Sequence, residues 1–331
     1  MALTKVTNSM LVQPVNHNIL INPSFTVKQR GDVVDGGAGA FYGLDRWKSR
    51  GLDGVGGTMV QCTTAIDSTT GINKLVVKHR GSAQFPITDA PYVYQNIEAV
   101  NVLGLYGKDM TFSFSYSDTG GSGIPKVRVG SYDSSDTFKT LFDAVPTSLG
   151  NNRWACTFTL STTDGTFLNL NETGLQVLIY ANEQNTAPAE WSVWETKLEV
   201  GSGATPFIAR PYGEELALCQ RYYQVGTYFG NGGADAGSTS PTVSWPPLVQ
   251  MRTPASVVMR DDAGTVNRYT DAAGTSVSWG NGGFSHRSDN TGFTGSYASD
   301  FDSGQFVFDV GNASKGLVSW IRFHWKAEAE L

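Results

Sequence analysis

The chain has 331 residues with 38 Gly, 17 Phe, 13 Tyr and 8 Trp, 16% charged side chains and a formal net charge of −6. That length accommodates two or three domains with their own hydrophobic cores. The acidic balance argues against nucleic acid as a partner, because phosphate contacts need clustered Lys and Arg. No apolar run approaches the ~20 residues that span a bilayer, so no membrane insertion is expected.

Abundant glycine and aromatics with little charge suit short strands joined by tight turns, as in sandwiches and jelly rolls. Cys62, Cys156 and Cys219 are widely spaced and form no CxxC pair. That pattern predicts reduced thiols and assembly in a cytoplasm. The first sixteen residues lack a basic region followed by an apolar run, so no secretion signal is predicted.

Residues 1–16 are polar and unpatterned and read as an attachment arm. From Asn18 to about Val200 the sequence alternates with period two. Phe112, Phe114 and Tyr116 fall on one face of a strand, and Thr111, Ser113 and Ser115 on the other. Trp154, Cys156, Phe158 and Leu160 form a second apolar face, and Lys126 to Val129 repeats the pattern briefly. Such half-wet strands belong to antiparallel sheets, two of which make a sandwich. In the stretch from Trp191 to Val200, the spacing predicts Trp194, Leu198 and Val200 on the dry side. It puts Trp191, Glu195, Lys197 and Glu199 on the wet side.

After a short linker, Gly201 to Pro206, comes the one convincing helix, within 207–224. Glu214 and Glu215 lie in its first turn, where carboxylates oppose the partial positive charge of free N–H groups. Leu216, Cys219 and Tyr223 recur at helical spacing. A second β region follows from 225 to 331. There Pro246-Pro247 limits a strand over 241–251, and Gln305–Val310 and Leu317–Lys326 read as the clearest strands. The predicted fold class is therefore all-β. It comprises a jelly-roll or β-sandwich domain over 17–206, a linking helix over 207–224 and a C-terminal β-sandwich over 225–331.

Catalytic signatures are missing. His17, His79, His286 and His324 form neither HExxH nor a zinc spacing with cysteine, and there is no GxSxG elbow or phosphate-cradling loop. The adjacent pairs Glu214-Glu215 and Asp261-Asp262 suit a helix first turn and a loop turn better than a glycosidase pair, whose carboxyls stand ~5–9 Å apart. The expectation is no enzyme, no cofactor and no metal.

Sugar binding by a sandwich needs aromatic rings for the apolar side of a pyranose and amides or carboxylates for its hydroxyls. Trp191 with Glu195 is one candidate platform. Tyr92 and Tyr94, sharing a strand face with Asn96 near Gln95 and Glu98, are another. Trp279, Phe284, Phe293 and Tyr297 sit in glycine-rich segments predicted as recognition loops. Each of these rings has an alternative reading as packing. Trp320, Arg322, His324 and Lys326 share one strand face that a ligand or another subunit would cover. With Leu216 and Tyr223 of the helix they are the candidate oligomer interface.

Several phrases, taken in order, resemble bacteriophage tail-fibre and related virion fibre or spike proteins. These are the opening Met-Ala-Leu-Thr-Lys-Val-Thr-Asn-Ser-Met10, Asn18-Ile-Leu-Ile-Asn-Pro-Ser-Phe25, Gln29-Arg30-Gly31 and Asp45-Arg46-Trp47. Later come Gln95-Asn-Ile-Glu98, Lys197-Leu-Glu-Val-Gly201, the helix phrase starting at Arg210, Met251-Arg252-Thr253-Pro254 and Ala327-Glu-Ala-Glu-Leu331. The resemblance implies a virion surface subunit, often a homotrimer, assembled in the host cytoplasm. Its arm would join other virion proteins and its distal domains would contact host surface polysaccharide without cleaving it. Tail fibre, tail tip and head fibre remain open, as do a structural decoration or connector and a polysaccharide depolymerase. The first domain also resembles a carbohydrate-binding module. Many such modules use Asn-x-x-Phe-Glu to hold a structural calcium. Here Thr26 follows Phe25, so the carboxylate is missing and no metal is expected.

Overall fold

A computed structural model describes residues 17–330 apart from 32, 37–38, 52–59, 69, 80–91, 119–122, 133–136, 162–172, 182–189, 232–241, 246–247, 254, 267, 271–275, 279–283, 287–292 and 297–319. The attachment arm 1–16 and the expected strand 305–310 lie outside the described residues. The chain is all-β and divides into two compact units, residues 1–212 and 213–330.

The first unit contains β1 (Val33–Gly36), β2 (Gly39–Leu44), β3 (Trp47–Gly51), β4 (Val60–Ile66), β5 (Asn73–His79), β6 (Tyr92–Glu98), the single turn α1 (Ala99–Val102) and β7 (Asp109–Asp118). It continues with β8 (Pro125–Tyr132), β9 (Phe138–Ala144), β10 (Thr147–Gly150), β11 (Arg153–Thr159), β12 (Thr173–Ala181) and β13 (Glu190–Val200). Two antiparallel sheets result, ordered β1-β4-β5-β13-β7-β11-β10 and β2-β3-β6-β12-β8-β9. Phe112, Phe114, Val77 and Leu198 of the first pack in one core with Trp47, Val93, Val127, Val177 and Ile179 of the second. Burial of such side chains contributes roughly 1.5–3 kcal/mol each and drives the sandwich together.

The alternation places Phe112, Phe114 and Tyr116 in that core, as the sequence predicts. The opposite face of β7 departs from expectation: Thr111, Ser113 and Ser115 are buried, not wet. Their partners come from the segment after β13 and from neighbouring strands. Thr111 Oγ1 donates to the Gly201 carbonyl at 2.7 Å, and Arg153 Nη2 donates to Ser113 Oγ at 2.7 Å. Lys197 and Glu199, expected to face solvent, are likewise buried, with Nζ and Oε2 3.1 Å apart. Glu199 accepts from the Thr205 N–H at 2.8 Å, and Lys197 Nζ donates to the Pro206 carbonyl at 3.1 Å. Residues 201–206 are thus a strap over the sheet.

The phrases from the first domain that carry the fibre resemblance meet in space. Trp47 Nε1 donates to the Asn22 carbonyl at 3.0 Å, and Asn22 Nδ2 donates to the Asp45 carbonyl at 3.0 Å. Asp45 accepts from the Gln29 N–H at 2.7 Å, and Gln95 bridges both backbone groups of Ile21 at 2.8 and 2.7 Å. Asn22 and Phe25 hold positive φ of 54° and 55°, which tightens this turn. Arg210 closes the unit by donating to the Leu20 carbonyl at 3.0 Å and to that of Asn18.

Helix α2 (Tyr212–Gln220) is shorter than predicted. The second unit continues with β14 (Tyr223–Asn231), β15 (Thr242–Trp245), β16 (Ser256–Arg260), β17 (Arg268–Thr270), β18 (Ser276–Ser278), β19 (Phe284–His286), β20 (Phe293–Ser296) and β21 (Trp320–Glu328). Tyr223 therefore starts a strand instead of ending the helix. Strands β14, β21, β17 and β18 form one antiparallel sheet in which β16 also pairs with β21, and β15-β20-β19 form another. Among the described residues no helix is long and apolar enough to cross a membrane.

Candidate functional site

In a sheet, alternate residues face opposite sides. Val93 and Ile97 of β6, Val127 and Val129 of β8, and Leu175, Val177 and Ile179 of β12 point into the core. Their neighbours therefore form the outer face of the second sheet. Strand register arranges these in rows: Lys48, Tyr94, Leu178, Arg128 and Asp143; Tyr92, Tyr180 and Lys126; Asn96, Gln176 and Gly130. Tyr94, Asn96, Gln176, Leu178 and Tyr180 are only 5–9% exposed, although the three apolar ones lie outside the inter-sheet core.

Three chemistries meet on that face. Tyr92 and Tyr94 pack with ring centroids 5.6 Å apart, and Tyr132 and Phe138 form an edge-to-face pair at 5.3 Å. Between them, Gln176 Nε2 donates to Asn96 Oδ1 at 2.8 Å. Beside them, the Tyr180 hydroxyl donates to Asp143 Oδ1 at 2.9 Å, and Arg128 Nε donates to Asp143 Oδ2 at 2.8 Å. Lys126 Nζ lies 3.1 Å from Asp143 Oδ1, and both cations sit over the Tyr180 ring, 5.6 and 5.4 Å from its centroid.

Burial alone would raise the Asp143 carboxyl, but hydrogen bonds from Arg128, Tyr180 and Lys126 outweigh it and hold the group below its ordinary range. Burial, then the bond to Asp143, pushes the Tyr180 phenol up, so it remains a donor at neutral pH. The buried turn described above also positions this face, because Arg46 Nη2 donates to the Asn96 carbonyl at 2.6 Å and fixes β6.

Of the predicted residues, Tyr92 and Tyr94 lie on this face, with Asn96 and Glu98 in the same alternation. Trp191 does not. It is 1% exposed within the core, its ring 5.8 Å from that of Tyr116. The cause is a bulge in β13, where Glu195 adopts a φ of 50° and the register shifts between Trp194 and Lys197. One extra residue reverses the alternation, so Trp191 and Val193 point inward on one side of the bulge and Leu198 and Val200 on the other. Trp194, predicted on the dry side, is 8% exposed in the core cluster, with Lys74 Nζ 4.3 Å from its ring centroid. Glu195, half-buried, accepts from Ser115 Oγ at 3.5 Å on the outer side of the other sheet and so belongs to a different surface.

Trp279 and Tyr297 lie outside the described residues. The backbones of Phe284 and Phe293 belong to paired strands β19 and β20, not to loops. In the second unit, Arg322 and His324 both engage Asp262, His324 Nε2 at 3.1 Å, and His324 Nδ1 pairs with Thr227 Oγ1 at 2.9 Å. Tyr223, His324 and Lys326 line a shallow groove of about 360 Å³ with Val225 and Val258. For Trp320 only the strand position is described, and half-buried Leu216 lies on α2.

Sequence reasoning missed Gln176, Tyr180, Tyr132 and Phe138. Leu175 to Tyr180 is nearly continuous in apolar residues, so it carries no period-two signal that would assign Gln176 and Tyr180 outward. Alternation of Lys126 and Arg128 with Val127 and Val129 was a usable signal for the cations.

No family model and no curated protein matches the chain. Among solved structures it is similar to the enzymatically active domain of tailspike protein 4 from bacteriophage CBA120, with 12% identity, TM-score 0.32, 56% of this chain and 21% of that one. The match thus spans about a fifth of that protein. A xylan-binding domain from Paenibacillus barcinonensis aligns over 57% of this chain and 98% of its own, at 11% identity and TM-score 0.33. The N-terminal cellulose-binding domain of a Cellulomonas fimi β-1,4-glucanase aligns over 48% and 90%, at 18% identity and TM-score 0.29. Likeness at these scores carries no argument about ligands, and the sandwich described above rests on its own strand pairing.

Proposed function

We propose that the chain is a non-enzymatic bacteriophage fibre or spike subunit whose first unit attaches to host surface polysaccharide through the outer face of β6, β12 and β8. The observation that carries this reading is the assembly of Tyr92, Tyr94, Tyr132 and Phe138 around the Asn96–Gln176 amide pair. Rings offer apolar contact to pyranose C–H faces, and the buried Asn96–Gln176 pair ties together the strands that carry them. Asp143 is committed to Arg128, Lys126 and Tyr180, which suits a fixed binding group better than a general acid.

The virion assignment rests on the ordered fibre-like phrases in the sequence. A homotrimer would present three such faces, and sites of about millimolar affinity would gain through multivalency.

Binding of the labelled protein to intact candidate host cells, before and after their surface polysaccharide is stripped, tests the reading. Saturable binding that stripping abolishes is the expected result. Equal binding to stripped cells, or none by the assembled protein, would favour a structural decoration. Release of reducing ends from the polysaccharide would identify a depolymerase.

A further inference from the structure

We propose that the outer face of β6, β12 and β8 selects carboxylated glycans over neutral ones, a specificity that rests on the glycan-binding reading above. The charges on this face do not balance. Lys126 and Arg128 share Asp143 and, among the described residues, meet no second carboxylate. One ionised group cannot neutralise two cations. Lys48 occupies the same outer row as Tyr94 and Arg128, and Glu98 the same alternation as Tyr94 and Asn96, so among the described side chains of these rows there are three cations and two carboxylates. This local excess is positive on a chain whose formal net charge is −6.

The two cations are also held in place. Asp143 fixes their heads, and the Tyr180 ring supports both from one side. Their side chains are 27% and 39% exposed, so they remain open to solvent. Arg128 turns Nε and Nη2 toward Asp143, which leaves Nη1 without a protein partner among the described residues. A fixed guanidinium and ammonium beside aromatic rings are donors for a sugar carboxylate, which accepts charge-assisted hydrogen bonds. A neutral sugar would use the rings and gain little from the two charges.

The test uses the full chain and a panel of purified bacterial capsular polysaccharides, some uronate-bearing and some neutral. Each acidic member is also assayed after chemical reduction of its carboxylates to primary alcohols. Wild type is expected to bind acidic members, to lose at least about fivefold affinity on carboxyl reduction, and to weaken as salt screens the charges. Lys126→Gln and Arg128→Gln should each weaken binding to the acidic form by about two- to fivefold and weaken binding to the reduced form by less. Folding of both variants is checked by their thermal transitions. Equal affinity for native and reduced polysaccharide, or no effect of either substitution on folded protein, overturns the selectivity and leaves glycan binding standing. Binding to no member overturns the glycan reading itself.

Discussion

The ring of Phe138 lies against the backbone of Gly130: a Cβ added at Gly130 would stand 2.2 Å from Phe138 Cζ and 2.6 Å from the Lys139 carbonyl oxygen. The ring could swing away, but the carbonyl belongs to the paired strand and cannot. The glycine therefore lets β8 and β9 close up while Phe138 covers the outer face beside Tyr132. Gly130→Ala is expected to cost about 1–3 kcal/mol through overpacking and to displace Phe138. Denaturant unfolding reads the first effect, and polysaccharide affinity should fall with it.

Trp191 makes a different contribution. Fully buried against Tyr116, it is a core residue whose truncation leaves a large cavity. Trp191→Ala should destabilise the first unit by about 3–5 kcal/mol, whereas Trp191→Phe should cost less. Any loss of binding in Trp191→Phe should follow the folded fraction. Weaker binding at full folding would restore Trp191 to the ligand site.

The buried Lys197–Glu199 pair holds the strap 201–206 on the sheet. Lys197→Met removes the cation and leaves a buried carboxylate, at a cost of about 3–5 kcal/mol. The double change Lys197→Met, Glu199→Leu removes both charges and should recover much of that loss. Chemical denaturation of the three proteins gives the comparison. An additive double mutant would contradict direct coupling.

Much of the sandwich was legible in the sequence because period-two patterns record which side of a strand is dry. Phe112, Phe114, Tyr116, Val127 and Val129 all point where their spacing predicts. Trp191 was misassigned because a bulge at Glu195 inverts the alternation, and no residue type marks a bulge in advance. Lys197, Glu199 and Thr111 were read as wet because the strap that bonds them is non-local in effect and featureless in sequence. Tyr92 and Tyr94 were found by alternation, but Gln176 and Tyr180 lie in a nearly continuous apolar run, Leu175 to Tyr180, which carries no period-two signal. Tyr223 has helical spacing from Cys219, yet the helix stops at Gln220 and Tyr223 pairs with Glu328 in a strand.

The Asp143 cluster gives a pH dependence. Its carboxyl is held below its ordinary 3.8, so the ion pairs contribute stability above that value and lose it as pH falls through the lower folded value. The stability difference between wild type and Asp143→Asn should be constant from neutral pH to about pH 5. It should then shrink below pH 3.8 as the wild-type carboxyl protonates. A difference that persists unchanged at pH 2.5 would contradict the cluster.

Burial pushes the thiols of Cys62 and Cys156 up to about 12. At pH 8 neither holds appreciable thiolate, so a thiol-specific alkylating reagent should leave both unmodified in the native protein and label both in denaturant. Peptide mass mapping distinguishes them from Cys219.

The most direct test of the central claim is hydrogen–deuterium exchange of the full chain with and without a polysaccharide that binds it. The account predicts added protection in Tyr92–Glu98, Pro125–Tyr132, Phe138–Ala144 and Thr173–Ala181, the strands that carry the outer face. Protection confined to Tyr223–Asn231 and Trp320–Glu328, around the groove of the second unit, would contradict it.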